Sequence, residues 1–472
     1  MTAHAEQRRQ WVHIGSGSCA LLLRFLTWRQ AAAFAAAAFL FNLLVLPRIG
    51  GRSMYRPADH ARGFPLGILL YPLSVLALIV VFPSRLDIAA AAWGILAFGD
   101  GAATLVGRYV RRMNAEIGES AERRGPGSRR SARSAFSAFL SSGLPWHGDK
   151  TTAGTIAFVA CGAGAGVALA WWTRSSVLPE PAMTFTIVAP IVAALAAAFV
   201  ETIPIRLDDN LSVPATAAFV LWFMGGMTSA SISHSREAVT AALPWAIGIN
   251  GVMSYLGYRA KTVSRSGALG GALVGVIIYA AAGGGAWLLL FVTFLAASIT
   301  SRLGLARKAR LGIAEERGGR RGAGNAVANC GVAALAAIAA VTTPHVAMAR
   351  LALVAGLVAG ASDTVASEIG KAWGRSTWLV TNVGRVPPGT PGAMSLEGTA
   401  AGVAAAFALA GIAVALGLIA PASVVLVVAA ATIGALAESV LGATLEGPGI
   451  LNNDMLNFIN TAIAAAVALA LA

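Results

Sequence analysis

The chain has 472 residues, of which 57% are hydrophobic and only 12% charged; soluble domains carry about 25% charged residues, so an ordinary soluble fold is excluded. Its 35 Lys and Arg against 21 Asp and Glu leave a net charge of +14. The three cysteines, Cys19, Cys161 and Cys330, lie in apolar runs without CxxC spacing, which argues against a disulfide framework or a zinc site and for inert core thiols.

Along the chain, the opening Met1 to Gln10 is polar and basic with no small-residue cleavage site after it, so no removable signal peptide is expected. Apolar runs long enough to cross a ~30 Å hydrocarbon core then recur to the end. The pattern predicts about fifteen spans, at 12–26, 28–47, 63–83, 86–107, 152–173, 183–203, 211–231, 237–257, 267–281, 285–302, 324–342, 345–363, 395–417, 420–440 and 455–472. With the N-terminus inside, about 29 of the 35 Lys and Arg fall on inner segments. The outer loops keep Arg29, Arg85, Arg174 and Arg236, while Arg24 and Arg350 lie within spans. This positive-inside bias places the N-terminus and the polar loops in the cytoplasm and the protein in the cell membrane. The Arg-rich loops at 108–133 and 302–321 then read as topology signals. They lack the interleaved aromatics of a single-strand-binding surface, and no nucleic-acid partner is expected.

One acidic motif occurs twice, as Asp100-Gly-Ala-Ala-Thr-Leu-Val-Gly-Arg108 and as Asp363-Thr-Val-Ala-Ser-Glu-Ile-Gly-Lys371. Each has Ala at +3, a hydroxyl at +4, Gly at +7 and a cation at +8, offsets that share one helix face. Downstream, Lys150-Thr-Thr-Ala-Gly-Thr155 echoes in Ser395-Leu-Glu-Gly-Thr399, Glu201 in Glu438, and Asp208-Asp209-Asn210 in Asn452-Asn453-Asp454. Four features in one order predict an all-α polytopic membrane protein of two parallel seven-span repeats. The expected domains are 1–231 and 263–472, with a linking span at 232–262 that restores the orientation of the second repeat. Both motif sets then face the cytoplasm, where nucleotides are.

A carboxylate near hydrocarbon is costly unless paired, hydrated or metal-bound, so intramembrane acids point to function. Asp100 reads either as a salt-bridge partner of Arg108 or as a ligand of Mg²⁺ (or Mn²⁺) held together with Asp209, nucleotide phosphates and water. Lys150, Thr151 and Thr155 at a helix N-terminus suit phosphate oxygens. Gly143-Leu-Pro-Trp-His-Gly148-Asp-Lys150-Thr151 nearly spells a P-loop, but Asp149 interrupts it and a basic loop stands where a strand is needed. His13 reads equally as a headgroup-level hydrogen bonder and as a substrate contact.

Residues 1–231 resemble the polyprenol kinase family, which includes dolichol, phytol and farnesol kinases. The resemblance rests on Arg9-Gln-Trp-Val-His13-Ile-Gly-Ser-Gly17, Tyr71-Pro-Leu73, Gly99-Asp-Gly-Ala102, Gly107-Arg108, Lys150 with Gly154-Thr155, and Glu201-Thr-Ile-Pro-Ile-Arg-Leu-Asp-Asp-Asn-Leu-Ser-Val-Pro214. It implies CTP as phosphate donor, with nucleotide and metal on Asp100, Lys150 and Asp209. Thr152 and the long loop at 109–145 depart from the family pattern. Residues from about 240 to the end resemble a different, DUF92-type membrane family that includes phytyl-phosphate kinase. The marks are Gly312-Ile-Ala-Glu-Glu316, Gly319-Arg-Arg321, Asn325-Ala-Val-Ala-Asn329, Asp363-Thr364, Ser367-Glu-Ile-Gly370, Pro387-Pro-Gly-Thr390, Ser395-Leu-Glu-Gly398, Asn452-Asn-Asp454 and Asn457-Phe458.

Together these readings predict a CTP-dependent kinase that phosphorylates an isoprenoid alcohol in its first half and the monophosphate in its second. Asp100, Lys150, Asp209 and Asp363 are the catalytic candidates, and Asp100, Asp208, Asp209, Asp363 and Asp454 the metal candidates. Phosphate contacts are expected from Arg108, Thr151, Gly154, Thr155, Asn210, Lys371, Ser395, Gly398 and Thr399. Support is expected from His13, Glu201, Glu368, Glu438, Asn325, Asn329 and Asn453. The alternatives are a cytidylyltransferase forming a CDP-lipid and a transporter or flippase of isoprenoid phosphates.

Overall fold

Helices satisfy their own backbone hydrogen bonds, which a lipid interior cannot do for them. Eleven helices among the described residues are long and apolar enough to cross a membrane, and the protein is an all-α polytopic integral membrane protein. The structure is a computed structural model that describes residues 3–49, 65–122, 142–144, 147–203, 207–313, 320–448 and 450–472. The eleven helices account for twelve of the fifteen expected spans, because one of them carries two. The other three are shorter: 12–26 is divided between helix α1 (Ala3–Gly17) and a 3₁₀ turn, 63–83 is a 16-residue helix, and 211–231 a 17-residue one. The chain separates into two compact units, Met1–Gly225 and Gly226–Ala472.

In the first unit, α2 (Trp28–Leu40) starts at a capping box of Thr27 and Gln30 and runs on as a π turn, Phe41–Val45. Pro72 lies inside α3 (Leu66–Val81), where it has no N–H to donate to the carbonyl four residues back. That carbonyl, of Ile68, accepts instead from Asn42 Nδ2 at 3.1 Å. Then follow α4 (Leu86–Gly94), a π segment Ile95–Asp100, and α5 (Gly101–Glu122). A β-hairpin of β1 (Gly143–Leu144) and β2 (His147–Thr151) feeds α6 (Thr152–Thr173); α7 (Met183–Glu201) and α8 (Asp209–Gly225) complete the unit. The span holding α4 is 67% buried, against 39% or less for the other spans of the unit. Its run Ala89–Ala92 is sealed from solvent, since small side chains let neighbouring backbones approach closely. Asp100 thus rides on the central helix of its unit.

The second unit begins with α9 (Ser229–Arg259), which covers most of the segment expected as a link; it packs here, with Trp287 Nε1 donating to Asn250 Oδ1 at 3.0 Å. Helix α10 (Arg265–Arg302) breaks at Gly283, where φ of +85° suits a residue without Cβ. Its arms fold back on each other. Gly275 and Trp287 both abut Asn250, although a straight helix would set them ~18 Å apart. Next come α11 (Leu305–Arg310), α12 (Ala323–Thr342) and α13 (Val346–Trp373). A three-stranded sheet, ordered β4 (Arg385–Val386), β3 (Thr377–Leu379), β5 (Ala393–Ser395), is antiparallel throughout. The chain ends in α14 (Leu396–Ala415), α15 (Val424–Leu441) and α16 (Asn453–Leu471). Helix α13 is 72% buried, against 39% or less for the other spans of this unit, and it carries Asp363.

Candidate active sites

The two acidic motifs do the same packing in each unit. Thr151 ends β2 and caps α6 by accepting from Gly154 N at 3.1 Å; Ser395 ends β5 and caps α14 by accepting from Gly398 N at 3.1 Å. The motif helix lies against that cap. A Cβ on Gly107 would come 2.9 Å from Thr151 Oγ1, and one on Gly370 would come 2.9 Å from Ser395 Oγ. The carbonyls of Ala103 and Ala366 press on Gly154 and Gly398 in turn. Ala at +3 and Gly at +7 therefore seat one helix on the next.

In the first unit Glu201, at the close of α7, lies beside Asp209, at the start of α8. With Asp100 they form the one group of three metal-capable side chains among the described residues, each offering an oxygen within 4.8 Å of the others. Strand β2 delivers Lys150 into this group, where its Nζ donates to Glu201 Oε1 and, at 3.1 Å, to Asp209 Oδ2. Burial strips water from the ammonium and would lower its pKa, but the Asp209 and Glu201 carboxylates outweigh this and push it up to about 12. Three carboxyl groups face one ammonium, and hard oxygen donors in excess over cations are what Mg²⁺ takes. His13 Nε2 is 3.7 Å from Asp100 Oδ2. Its ring meets Tyr71 edge-on at 4.5 Å, while Tyr71 Oη accepts from Trp93 Nε1 at 2.8 Å.

Asp208 does not join the acids. Its Oδ1 accepts from the backbone and side-chain nitrogens of Asn210 at 3.0 and 2.8 Å, and Asn210 Nδ2 also reaches the Gly67 carbonyl at 3.3 Å. This pair fastens the start of α3. Thr155 Oγ1 donates to the Thr151 carbonyl at 3.2 Å, within the first turn of α6. Arg108 is exposed on α5.

In the second unit a cavity of about 310 Å³ gathers Asp363, Lys371, Ser395, Gly398, Thr399, Glu438, Asn325 and Asn453. Its wall also holds Arg321, which sequence reading quoted as a mark of resemblance without a site role, and Glu446, which it missed, as it missed Lys308. Lys308 is 1% exposed; its Nζ donates to Glu368 Oε2 at 2.6 Å and to the Ser301 carbonyl at 2.7 Å. Lys371 Nζ donates to the other oxygen of Glu368 at 3.0 Å. The available signal was that Lys308 is the one lysine in an otherwise arginine-based loop. Asp454 stands against Gly324 and outside the cavity wall, and Asn329 lines a neighbouring apolar cavity instead. Pro204–Arg206, Ala314–Glu316 and Gly319, quoted in the resemblances, lie outside the described residues.

Compared with known proteins, residues 248–465 match the family described as integral membrane protein DUF92. An uncharacterised membrane protein of Synechocystis is 42% identical over 200 residues, which are 42% of this chain and 78% of that protein. The chloroplastic protein VTE6 of Arabidopsis thaliana is 38% identical over 214 residues, 44% of this chain and 64% of VTE6. An uncharacterised membrane protein of Methanocaldococcus jannaschii is 32% identical over 213 residues, 45% of this chain and 87% of that protein. No solved structure matches the chain.

Proposed function

The chain belongs to the integral membrane protein DUF92 family, and we propose that its two units phosphorylate an isoprenoid alcohol in two steps, with CTP as donor. The first unit would make the prenyl monophosphate and the second the diphosphate, both at the cytoplasmic face. The observation that carries this reading is the cluster of Asp100, Glu201 and Asp209 around Lys150, at the N-terminus of a helix seated on the same cap as its counterpart in the second unit. Phosphoryl transfer gains mostly from positioning and from neutralising phosphate charge, and these groups supply both. The resemblance of the first half to polyprenol kinases, and of the second to a family that includes phytyl-phosphate kinase, supports the same order of steps.

Asp100, Glu201 and Asp209 would hold Mg²⁺, which when bound draws charge from the nucleotide phosphates. Lys150, kept protonated by its carboxylates, offers them a fixed positive charge, and the dipole of α6 adds to it. Asp100 or Asp209 accepts the alcohol proton as the alcohol oxygen bonds to the γ-phosphorus and CDP leaves. His13 stands beside Asp100, with Nε2 turned to the Leu96 carbonyl at 3.4 Å. In the second unit Lys371 and Arg321 face the cavity as the anion-binding groups, and Lys308 fixes Glu368 so that Lys371 is held on the cavity wall.

The test is product analysis on the purified chain with CTP labelled at the γ-phosphate, given phytol or geranylgeraniol and, separately, the monophosphate. A kinase transfers the label to the lipid and leaves CDP. Release of pyrophosphate with a CDP-lipid would assign the cytidylyltransferase reaction instead, and unconsumed CTP would leave transport.

A further inference from the structure

Beside the polar cavity of the second unit lies a second cavity, of about 330 Å³ and within the range of small-ligand sites. Its walls come from α9, both arms of α10, α12 and α13, and are mainly apolar: Met253, Val274, Phe291, Phe294 and Leu357 among them. Two residues, Arg321 and Asn325, line both cavities and so stand where the two meet. Arg321 Nη1 donates to Asn325 Oδ1 at 3.1 Å, while Nη2 makes only 3.4 Å contacts, to the Ala297 carbonyl and Ser301 Oγ. Its Nε is buried without a hydrogen-bond partner. Among the described residues no carboxylate pairs with this guanidinium.

A guanidinium at the mouth of an apolar cavity, with no counter-ion among the described residues and with an unused N–H, suits an anion attached to a hydrocarbon chain. Its planar fork fits phosphate oxygens. We propose that the apolar cavity seats the hydrocarbon tail of a single-chain lipid phosphomonoester and that Arg321 receives the phosphate, presenting it to the polar cavity that holds Asp363 and Lys371. This rests on the reading that the second unit acts on a prenyl monophosphate, and it adds where that substrate lies and which residues select it. The hairpin of α10 at Gly283 is then what builds the seat, since the cavity needs a wall from each arm.

The experiment uses the whole purified chain in nanodiscs, without nucleotide, and geranylgeranyl monophosphate carrying a diazirine at the end of its tail. Irradiation should label Met253, Phe291 or Phe294. Unlabelled geranylgeranyl monophosphate should compete, whereas phosphatidic acid and inorganic phosphate should not at tenfold higher concentration. A Cβ at Gly271, on the cavity wall, meets open space. Gly271→Phe therefore adds bulk at the cavity wall with no overlap at its Cβ, and should cut labelling at least tenfold. Arg321→Gln should do the same, and Arg321→Lys should restore part of it. Labelling elsewhere, full labelling of Gly271→Phe, or equal competition by phosphatidic acid overturns the proposal; the wild-type map decides it even where a variant fails to fold. Labelling as expected with no diphosphate formed from CTP keeps the seat and removes the kinase reading. Diphosphate formation with tail labels outside the cavity does the reverse.

Discussion

The first unit sets its charges around a strand-borne lysine, and the second sets them around a helix-borne glutamate. Aligning the caps puts Met394 at the position of Lys150, so the ammonium that β2 inserts among Asp100, Glu201 and Asp209 has no counterpart on β5. The second unit instead buries Glu368 between Lys371 and Lys308, drawn from α13 and α11. The first unit's three acids thus enclose one ammonium, while the second unit's cavity sets Asp363, Glu368, Glu438 and Glu446 beside Lys371 and Arg321, with Lys308 buried behind Glu368. The frame is shared and the cations are placed differently: one ammonium inside the carboxylate group in the first unit, an ammonium and a guanidinium on the cavity wall in the second. The proposed order of steps uses that difference, with an uncharged alcohol in the first unit and an anion already carrying phosphate in the second.

The comparison breaks most decisively at the motif acids. Asp100→Asn should abolish alcohol phosphorylation, by 10²-fold or more as for an essential electrostatic group, while added monophosphate is still converted to diphosphate. Asp363→Asn should leave the first step intact and let monophosphate accumulate. Thin-layer analysis of both products, at matched membrane abundance, checks this. Loss of both steps in each variant would replace two sites by one.

Lys150 sharpens the contrast with a smaller effect. Lys150→Ala should raise the CTP concentration needed for half-maximal alcohol phosphorylation about tenfold, the size of one lost charge-assisted contact, and leave the monophosphate step alone. The lysine's pKa is pushed from 10.5 up to about 12. Its ion pairs are therefore complete below pH 10.5 and are lost only as pH rises through about 12. The first step should show no alkaline limb from Lys150 between pH 7 and 10. A falling limb near pH 8–9 that vanishes in Lys150→Arg would mean that burial of the ammonium outweighs its carboxylate partners.

Much of this was legible from hydropathy and spacing, for a physical reason: lipid imposes apolar runs, and close helix contact imposes Ala and Gly at fixed offsets. The break at Gly283 is visible as Gly283-Gly-Gly285 between two apolar arms. What stayed hidden depends on tertiary placement. Lys308 and Arg321 belong to a basic loop whose composition reads as topology, and only the fold buries the first and aims the second between two cavities. Asp208 and Asp209 are chemically alike and adjacent, and only their placement at the start of α8 makes one fasten α3 while the other joins Asp100. The expected span at 12–26 failed as one helix because α1 gives way to a 3₁₀ turn after Gly17.

The smallest expected effect tests whether the shared frame is one device used twice. Thr151→Ala and Ser395→Ala each remove a cap accepting from an N3 amide, at a typical cost of about 1 kcal/mol. Gly107→Ala and Gly370→Ala each drive a methyl group to 2.9 Å from that same hydroxyl, an overpacking worth roughly 1–3 kcal/mol. The two changes compete for one space. Once the hydroxyl is gone the new methyl has room, so each double variant should be less destabilised than the sum of its singles, by a coupling on the order of 1 kcal/mol. Hydrogen exchange at the Gly154 and Gly398 amides reads this locally in each unit. The coupling should have the same sign and size in both, whatever the variants do to activity. Additive losses in one unit and coupled losses in the other would mean that the matching offsets in the two motifs arose without a shared packing role, and that the different placement of the cations compares two unrelated sites.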